Sequence, residues 1–151
     1  MKKKILNNNF IIRDYRKGDF KGIMYLWRAT DLGRPERGDD EKTIEDSIAI
    51  GGWMLVMEEK ETSRIIGTSW MTFDGRRIHL HHFGILPAFQ GKGLAKALLK
   101  ESLIFVKKSG YQVKIEVHRE NQKAVNLYRN AGFEYLGDYD VYIIRDSDTI
   151  I

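Results

Sequence analysis

Apolar and polar positions repeat along this chain with two different periods, and each change of period marks a new element. Two short runs near the C-terminus, residues 133–135 and 139–144, are rich in aromatic and β-branched residues and predict strands that close a sheet. Five earlier runs have the alternation or composition of strands, at residues 10–16, 53–58, 65–73, 78–85 and 111–117.

Four other segments repeat apolar residues at the spacing that places them on one helix face. We expect Asp19 and Thr43 to cap the first two helices, the third to begin at Gly91, and Asn121 to cap the fourth. The predicted order is β-α-α-β-β-β-α-β-α-β-β, which is typical of an α/β domain with a mixed sheet.

Length and composition limit the class of protein. A chain of 151 residues without repeats or linkers predicts a single domain over 1–151, with flexible ends at 1–9 and 146–151. The chain has no cysteine, which excludes a disulfide, a thiolate metal site and a cysteine nucleophile. No apolar run approaches the ~18–20 residues of a membrane span, and the basic start lacks the apolar segment of a signal peptide. We therefore expect a cytoplasmic protein that does not bind membranes.

The net charge of +4 does not indicate a nucleic-acid partner. Lysine and arginine are interleaved with acidic residues along the whole chain instead of forming a basic block with aromatics. Lys92 and Lys96 are the local exception, because they fall in the first turns of a predicted helix, where cations oppose the helix dipole.

The transition from strand to helix at residues 85–95 favours an anion site. Gly91 and Gly93 remove side chains where the helix begins, so that free backbone N–H groups can close on an anion. A bound polyanion would also reverse the unfavourable placement of Lys92 and Lys96. The run lacks the Gly-Lys-Ser/Thr ending of a P-loop and the three-glycine dinucleotide fingerprint.

The same stretch carries a family resemblance. Its pattern Gln90-x-x-Gly93-x-Ala95, preceded by Ile85 and Pro87, closely resembles the acetyl-CoA pyrophosphate motif of the GNAT superfamily of N-acetyltransferases. A second superfamily motif combines an asparagine, a small residue, Leu-Tyr and Gly-Phe, and here it consists of Asn121, Ala124, Leu127, Tyr128, Gly132 and Phe133. The resemblance is strong over residues 78–136 and rests on element order over 10–58.

The resemblance implies a mixed, mostly antiparallel sheet of six to seven strands flanked by four helices. It also implies acetyl-CoA as cosubstrate and no metal. The strand at residues 83–85 is expected to part from 111–117 so that the pantetheine arm lies in the opening like an added strand. The implied acetyl-CoA contacts are Phe83, Gly84, Ile85, Gln90, Gly91, Lys92, Gly93, Leu94, Ala95, Lys96, Asn121 and Tyr128.

Attack of an amine on a thioester needs a base for the ammonium, a donor for the oxyanion and an acid for the thiolate. The resemblance assigns the acid to Tyr128, whose phenol is protonated at pH 7. The alternative is that Tyr128 is a core aromatic on the apolar helix face. The backbone amide of Phe83 or Gly84 is the expected oxyanion donor.

Three histidines on the strand before the glycines are candidates for the base. His79 and His81 share one strand face and resemble the His-x-His of arylalkylamine N-acetyltransferases, whereas His82 should point away and be structural. A histidine of ordinary pKa accepts a proton at neutral pH. The alternative is an ordinary polar strand face. The spacing of the three does not fit a metal site.

The acceptor is the least constrained part. In the superfamily, residues 26–50 and the final hairpin would wall its site, which makes Trp27, Arg34 and Glu36 candidates for substrate contact. We expect acetyl transfer to a primary amine in a direct ternary complex, since no cysteine can carry an acyl group. A small-molecule amine is favoured. The alternatives are a peptide N-terminus, as in ribosomal-protein acetyltransferases, and a non-catalytic acyl-CoA-binding module. The chain is expected to be a monomer or a homodimer.

Overall fold

The computed structural model describes residues 4–5 and 9–150, and for residues 4–5 the backbone alone. The predicted flexible N-terminal end therefore lies mostly outside the described residues. The strands are β1 (Lys4–Ile5), β2 (Phe10–Asp14), β3 (Trp53–Glu59), β4 (Arg64–Phe73), β5 (Arg77–Ile85) and β6 (Gln112–Ile115). The helices are α1 (Phe20–Thr30), α2 (Glu41–Ala49), α3 (Leu94–Ser109) and α4 (Gln122–Asn130), and short 3-10 helices span Pro35–Arg37, Pro87–Phe89 and Ser147–Thr149.

The six strands form one mixed sheet in the order β1-β2-β3-β4-β5-β6. The first four pairings are antiparallel, and β5 pairs with β6 in parallel. The parallel pair needs a long crossover, which α3 supplies.

Helices cover both faces of the sheet, which explains why β3 and β4 are buried along most of their length. On one face, the indole N–H of Trp70 donates to Ser47 of α2 over 2.9 Å, and Trp70 stacks on Trp27 of α1. On the other face, the hydroxyl of Ser69 lies 2.7 Å from that of Ser102 on α3. The polar groups inside the core are thus paired with each other.

All four predicted helices are present, but the expected caps of α1 and α2 and the expected start of α3 differ. The cap of α2 is Asp40, whose carboxylate accepts from the backbone N–H of Thr43, so the prediction that Thr43 is the cap is wrong. Asp19 precedes α1 without capping it, because its carboxylate binds the guanidinium of Arg13. Asn121 caps α4 through the N–H of Ala124, as predicted.

The predicted strands at 133–135 and 139–144 are wrong: the described chain has no strand after β6. Tyr135, Tyr139 and Tyr142 are 80%, 81% and 88% exposed. Within the described ranges, the hydrogen bonds of residues 134–150 stay inside that segment. The composition of residues 133–144 gives them a high strand propensity, but a strand forms only where it can pair with the edge of a sheet. The edge strand β6 has only four residues with which such a strand could pair.

Of the helices in the described ranges, none is long and apolar enough to cross a membrane.

Candidate active site

The sheet opens between β5 and β6. Their parallel pairing runs from Arg77 opposite Gln112 to Leu80 opposite Ile115, where β6 ends. Residues 81–85 continue along β4 and have no strand on their other side within the described chain. This opening is the geometry expected for a ligand that pairs with the backbone of β5.

The predicted glycine cradle lies directly beyond the opening. Gly91 and Gly93 both have φ of 76°, a left-handed conformation that favours glycine, and a Cβ at either position would meet open space. The helix α3 begins at Leu94, later than the expected Gly91, and no side chain caps this end in the part of the chain described. Its first N–H groups are therefore available to an anion. The side-chain amide of Gln90 donates to the carbonyl of Ile85 over 2.8 Å and ties the cradle to the strand.

The other residues of the cradle divide into anchors and exposed cations. Leu94 is buried in the core and Ala95 is half-buried. Lys92 and Lys96 are exposed, and the Nζ of Lys92 lies 5.4 Å from the centroid of the Phe89 ring. The positive charge at this end of α3 thus faces solvent, where a polyanion would approach.

Tyr128 of α4 borders the opening. Its ring packs edge-on against Phe83 of β5 and against Phe133, with centroid distances of 5.9 and 5.7 Å. Burial raises the pKa of Tyr128, so the phenol stays protonated at neutral pH. Both interpretations of Tyr128 fit these facts, because a core aromatic next to Phe83 is also within reach of the opening. Asn121, two turns earlier, is exposed and occupied in capping its helix.

The three histidines lie closer together than strand alternation predicts. His82 has a φ of 46°, and the β4 to β5 register shifts between Thr68 and Trp70. This irregularity turns the ring of His82 toward the ring of His81, with Nδ1 atoms 2.7 Å apart. The expectation that His82 points away is therefore wrong, because period-two alternation holds only for regular strand backbone.

A continuous polar chain passes through these rings. The Nε2 of His81 lies 3.1 Å from the Oγ1 of Thr72, and the Nε2 of His82 lies 2.9 Å from the Oδ1 of Asp39. The second contact is not aligned as a linear hydrogen bond, so it is mainly electrostatic. Trp27 and Trp70 flank the ring of His82 at centroid distances of 4.5 and 5.0 Å.

Burial keeps the histidines neutral. It lowers the pKa of His81 to about 3, with His82 and His79 as further causes. Burial also lowers the pKa of His82, against the opposing effect of Asp39, and that of His79, against Glu116. The Nε2 of His79 lies 3.9 Å from the Oε1 of Glu116 at the mouth of the opening.

The loop between α1 and α2 lies against β5, which the sequence did not indicate. A Cβ at Gly33 would lie 2.7 Å from the ring of His82, and a Cβ at Gly84 would lie 2.6 Å from a methyl of Leu32. The two glycines therefore permit this contact, and Gly84, which the family resemblance places among the acetyl-CoA contacts, also makes room for Leu32. Asp39 lies in the same loop, and nothing in the sequence except its acidic side chain marked it as a residue of the site.

The three residues that are expected to contact the acceptor lie in different environments. Trp27 is fully buried, and its indole N–H donates to Thr68 over 2.9 Å. Arg34 is exposed and pairs with Asp31 over 2.9 Å. Glu36 is exposed on the 3-10 helix of the loop. The structure does not bring these three side chains together, and their contact with an acceptor stays a prediction. In the described ranges, no group of three or more histidine or acidic residues could hold a metal ion.

Residues 21–133 match the family model described as the acetyltransferase (GNAT) family. The chain belongs to the GNAT acetyltransferase family. The match covers most of the chain and includes both the glycine cradle and Tyr128. This GNAT protein is accordingly an acetyl-CoA-dependent N-acetyltransferase, and acetyl-CoA is its cosubstrate.

Solved structures share the fold. An acetyltransferase from Streptococcus agalactiae is similar with a TM-score of 0.77 at 18% identity, over 93% of this chain and 94% of that one. The ribosomal-protein-S18-alanine N-acetyltransferase from Escherichia coli is similar at 0.70 and 18% identity, over 83% and 77%. Glucosamine-6-phosphate N-acetyltransferase from Arabidopsis thaliana is similar at 0.68 and 20% identity, over 93% and 100%. At these identities the likeness shows the fold.

Proposed function

We propose that this GNAT enzyme acetylates a small-molecule primary amine by direct attack on acetyl-CoA in a ternary complex. The observation that carries the proposal is the opening between β5 and β6, which has the glycine cradle at one end and Tyr128 and the histidines along its sides. The opening can hold an extended thioester, and the groups around it can supply the acid, the base and the oxyanion donor.

The cosubstrate is held from its two ends. The first N–H groups of α3, together with Lys92 and Lys96, bind the pyrophosphate, and the pantetheine arm pairs with the free side of residues 83–85. The acetyl carbonyl then lies beside the amide of Phe83 or Gly84, which donates to the oxyanion. Tyr128 donates its proton to the departing thiolate.

A small acceptor is supported by the position of the α1 to α2 loop. Leu32 and Gly33 lie against Gly84 and His82, so this loop covers the acceptor side of β5 and narrows the approach to the opening. Arg34 and Glu36 lie on the outer surface of that loop and are proposed to contact the acceptor. A peptide N-terminus is the alternative acceptor. The two kinds of acceptor are represented by the ribosomal-protein-S18-alanine N-acetyltransferase and the glucosamine-6-phosphate N-acetyltransferase described above. The cytoplasmic location, and whether the chain is a monomer or a homodimer, stay predictions.

The test is a screen for acetyl-CoA consumption across an amine library that includes N-terminal peptides. Free CoA can be followed with a thiol reagent without background, because the enzyme has no cysteine. We expect turnover with one class of small amines and much weaker turnover with peptides. Turnover confined to peptides would show that the acceptor is a peptide N-terminus and not a small-molecule amine. Acetyl-CoA binding without turnover on any amine would favour a non-catalytic binding module.

A further inference from the structure

The polar chain from Asp39 to Thr72 favours one arrangement of protons among neutral histidines. The Nε2 of His82 lies 2.9 Å from a carboxylate oxygen of Asp39. Although this contact is not aligned as a hydrogen bond, the negative charge favours a proton on Nε2 over a lone pair and leaves Nδ1 as the acceptor. The Nδ1 of His81, 2.7 Å away, must then donate to it. The Nε2 of His81 is left with a lone pair, which accepts from the hydroxyl of Thr72 at 3.1 Å.

From this geometry we propose that Asp39 and His82 are positioning residues at the inner end of a proton path that begins at Thr72 and passes through His81. The inference rests on the proposed amine acetylation. The acceptor ammonium gives one proton to the Oγ1 of Thr72, Thr72 gives its own to the Nε2 of His81, and His81 passes its Nδ1 proton to the Nδ1 of His82. The amine becomes neutral, and His82 becomes an imidazolium beside Asp39, so proton and charge balance.

Burial lowers the pKa of both rings, but the surroundings of His82 are the more favourable of the two for an imidazolium. His81 faces His79, His82 and the face of Trp70, with no carboxylate against it. His82 faces Asp39 as well as the rings of His81, Trp27 and Trp70. Of the two histidines, it is therefore the one with a carboxylate that offsets the cost of burying an imidazolium. His79 has a different electrostatic environment, because the charged groups that act on it are Glu116, Lys114 and Asp74.

The backbone at His82 and in the loop that carries Asp39 is suited to holding the two side chains together. His82 has a φ of 46°, a conformation that few residues other than glycine adopt, although histidine adopts it more readily than most side chains do. The loop that carries Asp39 reaches the ring only because Gly33 has no Cβ to collide with it. Asp39 is itself held by the backbone N–H of Arg34, which donates to its Oδ2 over 2.9 Å. Such outliers are concentrated where function requires them.

The first test needs no activity. Nitrogen NMR of the histidine rings in the full chain, assigned with single variants of its four histidines, reports which ring nitrogen holds the proton. We expect His82 protonated at Nε2 and His81 at Nδ1 at pH 7, and a loss of the single His82 tautomer in Asp39→Asn. The opposite tautomers, or no change in Asp39→Asn, would overturn the inference.

The second test compares Asp39→Asn with Asp46→Asn, a matched change on an exposed carboxylate of α2. We expect kcat of Asp39→Asn to fall ~10-fold or more at pH 7 with KM nearly unchanged. The loss should shrink toward pH 9.5, where more of the amine is already neutral, and Asp39→Glu should restore part of the rate. Asp46→Asn should match the wild type.

The outcomes separate this inference from the proposed function. If the wild type acetylates an amine but Asp39→Asn loses the same factor at every pH, or loses affinity alone, the proton path is wrong and the function stands. If the wild type acetylates no amine, the proposed function fails, and the NMR result alone decides the arrangement of protons.

Discussion

At the scale of single residues, Tyr128 is the side chain whose role depends most on its surroundings. Its ring is part of the core and also touches Phe83 at the opening. Tyr128→Phe keeps this packing and removes one hydroxyl. We expect acetyl-CoA affinity to be nearly unchanged and kcat to fall ~10²-fold, because the leaving thiolate loses its acid. Steady-state kinetics and calorimetric binding provide the measurements.

The exposed Tyr135 supplies the matched control for this change, since Tyr135→Phe removes the same hydroxyl away from the opening. A wild-type kcat in Tyr128→Phe would mean that water protonates the thiolate and that Tyr128 only packs.

The buried histidines make stability depend on pH. The unfolded chain binds protons at the ordinary histidine pKa near ~6.5, whereas burial lowers the pKa of His81 in the folded chain to about 3. The neutral ring therefore contributes stability above ~6.5 that is lost as the pH falls toward the folded pKa. We expect the free energy of unfolding to drop between pH 7 and 5, with a shallower slope in His81→Gln.

Urea unfolding at a series of pH values measures this slope. The control is His118→Gln, which removes the one exposed histidine outside β5. Equal slopes in the wild type and His81→Gln would show that His81 titrates normally in the folded protein.

At the scale of elements, the N-terminus of α3 is where backbone conformation and charge combine. Gly93 at this end and Gly110 at the other end have φ of 76° and 75° and open space beside them. Gly93→Glu and Gly110→Glu therefore bring similar backbone strain and the same charge. Acetyl-CoA at a hundred times its Kd should stabilise the wild type by ~2.7 kcal/mol. We expect this thermal shift to persist in Gly110→Glu and to vanish in Gly93→Glu.

A full shift in Gly93→Glu would place the pyrophosphate elsewhere. Loss of the shift in both variants would point to damage to α3 as a whole, so melting of each variant without ligand is measured alongside.

At the scale of the whole molecule, the free energy of folding comes from the sheet and the helices on its two faces. Ile66 of β4 is fully buried, whereas Ile144 in the C-terminal segment is 66% exposed. Ile66→Ala should cost ~2–5 kcal/mol of unfolding free energy because it leaves a cavity. The same change at Ile144 should stay within ~0.5 kcal/mol. A large cost at Ile144, seen in urea unfolding, would mean that this segment packs in solution.

The sequence by itself determined the element order from β2 to α4, the two GNAT motifs and the position of the glycine cradle, and it did not indicate β1. These depend on local rules: apolar period, capping residues, and glycine where a left-handed backbone precedes a helix. Gly93 and Asn121 needed only their immediate neighbours to be recognised. The absence of cysteine likewise excluded an acyl-enzyme on a thiol directly from composition.

Tertiary structure alone decided what depends on contacts between distant segments. The turn of His82 toward His81 follows from a left-handed residue and a register shift against β4, and its partner Asp39 lies 43 positions earlier in the chain. No local pattern encodes such a contact. The exposed segment after α4 shows the same limit, because residues with high strand propensity form a strand only when an edge lies within hydrogen-bonding distance.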